Sequence, residues 1–177
     1  MRYLLSIIFF AYILLVFQAC NSEEGVVQLP KKSFDKGDKL PTMSVMNKSE
    51  ELFKTNRLLD KPITIITLAH LKHPSAKAQI ILLDRMRKNI HPNIDIVVLI
   101  INNRDGNVLY EYEINRPFSI RLYTVNTDEI GWLDDDFVLP ILFFVKSDAT
   151  IVRRHDGYVA EEQLLKILES CSDEPNR

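Results

Sequence analysis

The stretch ITLAHLKHPSAKAQIILL, Ile66 to Leu83, decides how this chain is read. A β-branched apolar run, Pro62 to Leu68, enters it. The loop His70-Leu71-Lys72-His73-Pro74-Ser75 follows, and a helical pattern leaves. A short run rich in Ile and Thr between turn residues predicts a buried strand. Pro74 is tolerated only in the first turn of a helix. Behind it Ala78, Ile81, Leu82 and Met86 recur at helical spacing, with Lys77, Asp84, Arg85, Arg87 and Lys88 at the wet positions. The helix is expected to stop near Asn89, ahead of His91-Pro92. Loops between a strand and a helix are where α/β proteins concentrate their chemistry. This loop offers two histidines, a lysine and a serine, and neither glycine nor cysteine.

Working outward, Ile94–Ile101 (IDIVVLII) is continuously apolar and reads as a central strand covered on both faces. Asn107–Ile114 fits helix or strand equally, and Ser119–Val125 is strand-like. Thr127 is a candidate cap for a short helix through DEIGWLDDD, where Trp132 reads as a packing residue. ILFFVK (141–146) and IVRRH (151–155) flank a turn and form a hairpin. After Gly157 a last helix carries Ala160, Leu164, Ile167, Leu168 and Cys171 on one stripe, with Cys171 as a small buried hydrophobe. Upstream, KGDKLPTMSV is a turn and a short extended piece, and NKSEELFKTNRLLDK reads as a helical turn plus loop with Ser49 as its cap. The order predicts an α/β sheet with parallel strands and an antiparallel edge pair.

Of the 177 residues, the first 19 have the form of an export signal: Arg2, an apolar core, and Ala19 before Cys20. The core is short for a membrane span, which needs roughly 20 apolar residues. A cysteine directly after the small residue resembles a bacterial lipoprotein signal, although Phe17 stands where that family usually has Leu. The resemblance implies a thioether-linked lipid on Cys20, which becomes the new N-terminus. An uncleaved signal anchor is the alternative, and either way the globular part lies outside the cytoplasm, tethered to a membrane. The acidic SEE after Cys20 resembles a surface-display tag of some Gram-negative groups. The expected organisation is a signal peptide (1–19), a tether (20–36), one domain (37–171) and a disordered tail (172–177). The net charge of −2 leaves no electrostatic footprint for nucleic acid. The five glycines are too widely spaced for a phosphate loop, so no nucleotide is expected, and no cofactor is assigned. With Cys171 the only cysteine besides Cys20, there is no intrachain disulfide framework.

Four stretches together resemble the thioredoxin-like fold, in particular the membrane-tethered thiol–disulfide oxidoreductases (TlpA/ResA-like) and the peroxiredoxins. KGDKLP resembles the Gly-x-x-x-Pro segment that opens the domain. DKPITIITLAHLKHPSAK is similar to the strand that runs into Trp-Cys-x-x-Cys and its helix. FVLPILFFVKSDATIV resembles the segment whose proline is cis and faces the active site, here Pro140. RRHDGYVAEEQLLKIL resembles the final strand, glycine and helix. The implied fold is a central mixed sheet flanked by helices, with an N-terminal extension. On this alignment Lys72 and Ser75 occupy the two cysteine positions and Leu71 replaces the tryptophan. Thiol–disulfide exchange needs one thiolate to attack and another to resolve, and neither side chain carries sulfur. No catalytic residue is therefore assigned.

The resemblance also implies that backbone groups of the residue before the cis proline, here Leu139, pair with an extended peptide; this is strand addition, which needs no cysteine. Candidate binding residues are thus Lys72, His73, Ser75, Leu139 and Pro140. Lys72 beside a helix N-terminus would also suit an anion. His70 and His73, with Asp134 and Asp136 of the acidic run, are candidate metal ligands. Nothing orients a base for Ser75 as a nucleophile. The expectation is a lipid-anchored, extracytoplasmic accessory module of the cell envelope, without redox activity, whose partner is an extracytoplasmic polypeptide. The alternatives are a metal-dependent enzyme using the His/Asp set, or a structural subunit of an envelope complex.

Overall fold

The structure is a computed structural model that describes residues 34–90, 92–102, 109, 112, 117–133 and 137–172. Cys20, Asp134 and Asp136 lie outside the described residues. In chain order the elements are β1 (Ser44–Met46), β2 (Leu52–Lys54), β3 (Ile63–Ala69), α1 (Pro74–Met86), β4 (Ile94–Ile101), β5 (Arg121–Val125), β6 (Ile141–Lys146), β7 (Ile151–Asp156) and α2 (Glu161–Ser172). The strands form one seven-stranded sheet in the order β2-β1-β5-β4-β3-β6-β7. β3, β4 and β5 are mutually parallel, and antiparallel pairs close both sides, β6-β7 on one and β1-β2 on the other. No helix among the described residues is long and apolar enough to cross a membrane.

Every residue of β3 and β4 is buried, which accounts for their unbroken apolar runs. Alternation along the strands divides the core into two layers. Ile65, Ile96, Val98, Ile100, Leu142 and Phe144 face α1 and α2. Ile66, Leu68, Val97, Leu99, Phe143 and Val145 face the N-terminal segment and a layer containing Trp132 and Leu133. That segment is fastened along β7: Gly37 N–H donates to Ile151 O, Ile151 N–H to Asp38 O, and Leu40 N–H to Ala149 O. The ammonium of Lys39 reaches Asp148 Oδ2 and Thr150 Oγ1, both at 2.7 Å. This contact and the Thr150 N–H hold the Asp148 carboxyl well below the usual carboxylate range.

Several local expectations are corrected. In α1 the buried face is Ala76, Gln79, Ile80, Leu83 and Met86, together with Leu82, whereas Ala78 and Ile81 are exposed. Four apolar residues in succession, Ile80 to Leu83, fit two helical phases, and the sheet selects the one that starts at Ala76. In α2, Leu164, Ile167, Leu168 and Cys171 are buried as expected, but Val159 takes the place assigned to Ala160. Ser49 caps no helix. Asn47 instead closes a hairpin, its Oδ1 accepting from the N–H groups of Ser49 and Glu51 at 2.9 and 3.0 Å. Phe53 therefore lies in β2, and only Thr55–Leu58 forms a 3-10 turn. Thr127 is the first residue of a second 3-10 turn rather than its cap; Asn126 occupies the cap position and makes no side-chain cap bond. Between β4 and β5, Leu109 and Tyr112 are both helical. Phe34, which the sequence places in the tether, packs edge-on against Trp132 with ring centroids 4.9 Å apart.

At the start of the parallel strands Asp95, 8% exposed, pairs with Arg121, which also donates to Leu58 O and reaches the exposed Asp60 at 3.2 Å. Asp95 is buried, whereas Arg121 is one third exposed and keeps Asp60 and Leu58 O when Asp95 is removed. Asp95→Ala is expected to destabilise the fold by about 1–3 kcal/mol in urea titrations, the range for a hydrogen bond to a charged group, and Asp60→Ala by less than about 1 kcal/mol.

Candidate functional site

The candidate site forms where β3 ends and β6 begins. These strands are antiparallel neighbours, with Leu68 opposite Ile141. The loop leaving β3 and the loop entering β6 therefore lie side by side. The Leu139–Pro140 peptide bond is cis, as the sequence resemblance implies. Ser75, in the first turn of α1, donates its hydroxyl to Leu139 O at 3.4 Å. This contact brings the Lys72–Ser75 loop and the Leu139-Pro140 pair together. Pro74 opens the helix behind His73, which makes no side-chain cap bond.

The 70–73 loop is organised by its own histidine. His70 Nδ1 accepts from the Lys72 backbone N–H at 3.1 Å, and His70 O accepts from His73 N–H at 2.9 Å. The two rings meet edge to face, centroids 5.7 Å apart. Partial burial, reinforced by His73 and Lys72, pushes the His70 pKa down from 6.5. A neutral His70 accepting at Nδ1 carries its proton on Nε2. Lys72 is exposed and Leu71 is half-buried against the α1 side of the core. Among the described residues no group of three or more His, Cys, Asp or Glu side chains is placed to hold a metal ion. Cys171, which forms no disulfide, is buried in the last turn of α2.

Three further residues shape the site without having stood out in the sequence. Gln79 is fully buried within α1, and its Oε1 accepts from Val159 N–H at 2.8 Å, tying α1 to the chain that leads into α2. The signal was a polar residue on a face otherwise apolar. Val138 and Tyr158 are 59% and 48% exposed, and they border the proline on either side of a tight junction. There Gly157 N–H donates to both Val138 O (3.1 Å) and Pro140 O (2.7 Å). Gly157 has φ +86°, a conformation that side chains disfavour. An exposed Val and an exposed Tyr are unremarkable in sequence; only the junction brings residues 138 and 158 together beside Leu139-Pro140.

No family model matches the chain, and no curated protein matches it. Solved structures do. Peroxidoxin BcpB from Mycobacterium tuberculosis superposes with a TM-score of 0.64 at 10% identity, covering 81% of this chain and all of that one. A thio-disulfide isomerase from Thermus thermophilus gives 0.60 at 19% identity, covering 79% and 99%. The pneumococcal exposed lipoprotein thioredoxin Etrx1 from Streptococcus pneumoniae gives 0.58 at 10% identity, covering 73% and 99%. The fold is thioredoxin-like. At these identities the likeness concerns the fold alone, and the chemistry of the loop rests on this chain's own residues.

The lowered pKa of His70 has a defined pH consequence. The unfolded chain binds the proton more readily than the folded one, so stability from this group is complete above pH 6.5 and falls as the pH drops below it. NMR titration is expected to place the His70 midpoint below 6.5. His73→Gln should move that midpoint upward by removing the neighbouring like charge.

Proposed function

We propose that this protein is a lipid-anchored, extracytoplasmic binding module of the cell envelope. It uses a thioredoxin-like scaffold to hold an extended polypeptide along Leu139-Pro140 and carries out no thiol–disulfide exchange. The observation that supports this reading is the contact of Ser75 with Leu139. The loop beside the proline presents Lys72 and Ser75, and neither supplies the sulfur that exchange requires. The remaining described thiol, Cys171, is buried in the last turn of α2, whereas the chain entering α2 joins α1 through Val159 and Gln79.

Such a surface recognises backbone first. At 3.4 Å the Ser75 hydroxyl holds the Leu139 carbonyl only loosely. Rotation of the hydroxyl frees that carbonyl to accept from an incoming strand, and Val138 and Tyr158 offer exposed apolar area for its side chains. Anchoring follows from the Ala19-Cys20 signal, which holds the domain at a membrane facing the periplasm or the cell surface.

The native protein is expected to show no insulin-reduction turnover. Lys72→Cys combined with Ser75→Cys should form an intramolecular disulfide, measurable as the loss of two titratable thiols on oxidation, and should gain turnover. Turnover in the native protein that Cys171→Ser abolishes would overturn the reading. For binding, capture of a polypeptide from detergent-solubilised membranes should weaken about ten-fold or more with Val138→Asp. Ser75→Ala, which leaves the Leu139 carbonyl free, should retain capture.

A further inference from the structure

We propose that the surface beside Leu139-Pro140 opens toward the bilayer to which the chain is tethered, and that its occupant is an extended segment of a polypeptide held in or at that same bilayer. This rests on the reading of Cys20 as lipidated and of the Leu139-Pro140 surface as a binding site; what it adds comes from the path of the chain. From Leu40 back to Phe34 the chain follows β7. Leu40 bonds Ala149, Lys39 bridges Thr150, Asp38 and Gly37 bond Ile151, and Phe34 O accepts from Arg154 at 3.4 Å. Each step toward the N-terminus thus moves from the β6–β7 turn toward Gly157.

Arg154 lies opposite Phe143, three positions from Pro140, or about 10 Å at 3.3–3.4 Å per residue. The Phe34 ring rests on Trp132, just ahead of the segment that leads into Pro140. From Leu40 to Phe34 the chain therefore runs toward the pole that carries the site and away from the β6–β7 turn.

The distance to the lipid is limited. Residues 21–33 span at most about 45 Å when fully extended, and a domain of this size is about 35–40 Å across. The turn pole faces the bilayer only if the tether doubles back along the sheet and spends most of its reach doing so. A polypeptide arriving from bulk solvent must enter the gap between domain and membrane. A segment anchored in the membrane starts in that gap. The exposed Val138 and Tyr158 suit a segment carrying apolar side chains.

The test uses the full lipidated chain in phosphatidylcholine vesicles whose headgroups carry an energy acceptor. A donor dye is placed at Lys77→Cys, in the first turn of α1, or at Ser147→Cys, in the β6–β7 turn. Both positions are exposed, and the buried Cys171 stays unlabelled in the native state. The two poles are separated by about the length of β6, roughly 20 Å, so transfer from position 77 should exceed that from 147 by about two-fold or more. Equal or reversed transfer overturns the proposal. A Cys20→Ala chain that begins at residue 20, and so lacks both the lipid and the apolar signal, should fail to float with the vesicles. If it floats unchanged, the lipidation reading is overturned, whatever the two labels report.

Discussion

The structure depends on how β3 is held. It runs parallel to β4 on one side and antiparallel to β6 on the other, with all seven of its residues buried. Parallel pairing sends the chain out at the C-terminal end of β3, into the 70–73 loop and α1. Antiparallel pairing brings β6 in at that same end, by way of Leu139-Pro140. Two loops far apart in sequence are thereby required to touch, and the Ser75–Leu139 contact is where they do. The junction at Gly157, bonded to Val138 and Pro140, adds the end of β7 to the same place.

What this arrangement can do follows from what the loops carry. A serine hydroxyl donates a hydrogen bond and keeps its proton at neutral pH; an exposed lysine adds charge; a histidine with lowered pKa accepts a backbone N–H. All three form hydrogen bonds or carry charge, and none holds a sulfur atom. The two loops are held close together, and the side chains described there carry hydroxyl, ammonium and imidazole groups and no sulfur. The buried Gln79–Val159 bond gives this region stiffness, since it fixes α1 relative to the chain entering α2 through a side chain with no access to water.

Much of the architecture was legible because burial writes itself into composition. The unbroken runs in β3 and β4 could only be strands covered on both faces, and the hairpin of β6 and β7 was marked by turn residues between two apolar segments. The failures have identifiable causes. The phase of α1 is ambiguous in sequence because Ile80 to Leu83 offer two apolar stripes, and only contact with the sheet distinguishes them. The segment from Asn47 to Lys54 resembles a helical turn because Ser49 resembles a cap. The side chain of Asn47 forms a tighter local network and makes a hairpin instead. In α2 the spacing alone carries the stripe to Ala160, whereas Val159, one residue earlier, fills the core.

By itself the sequence determined the central strands, the β6–β7 hairpin, the two long helices, the loop chemistry at residues 70–75 and the lack of sulfur there. These are properties of single residues and of short-range periodicity. Tertiary structure alone decided which face of α1 is buried and which exposed side chains border the proline. It also decided how Gln79 is used and that residues Phe34–Leu40 run beside β7. Those outcomes depend on pairing between strands distant along the chain. Register is a property of two segments together, and neither segment encodes it alone.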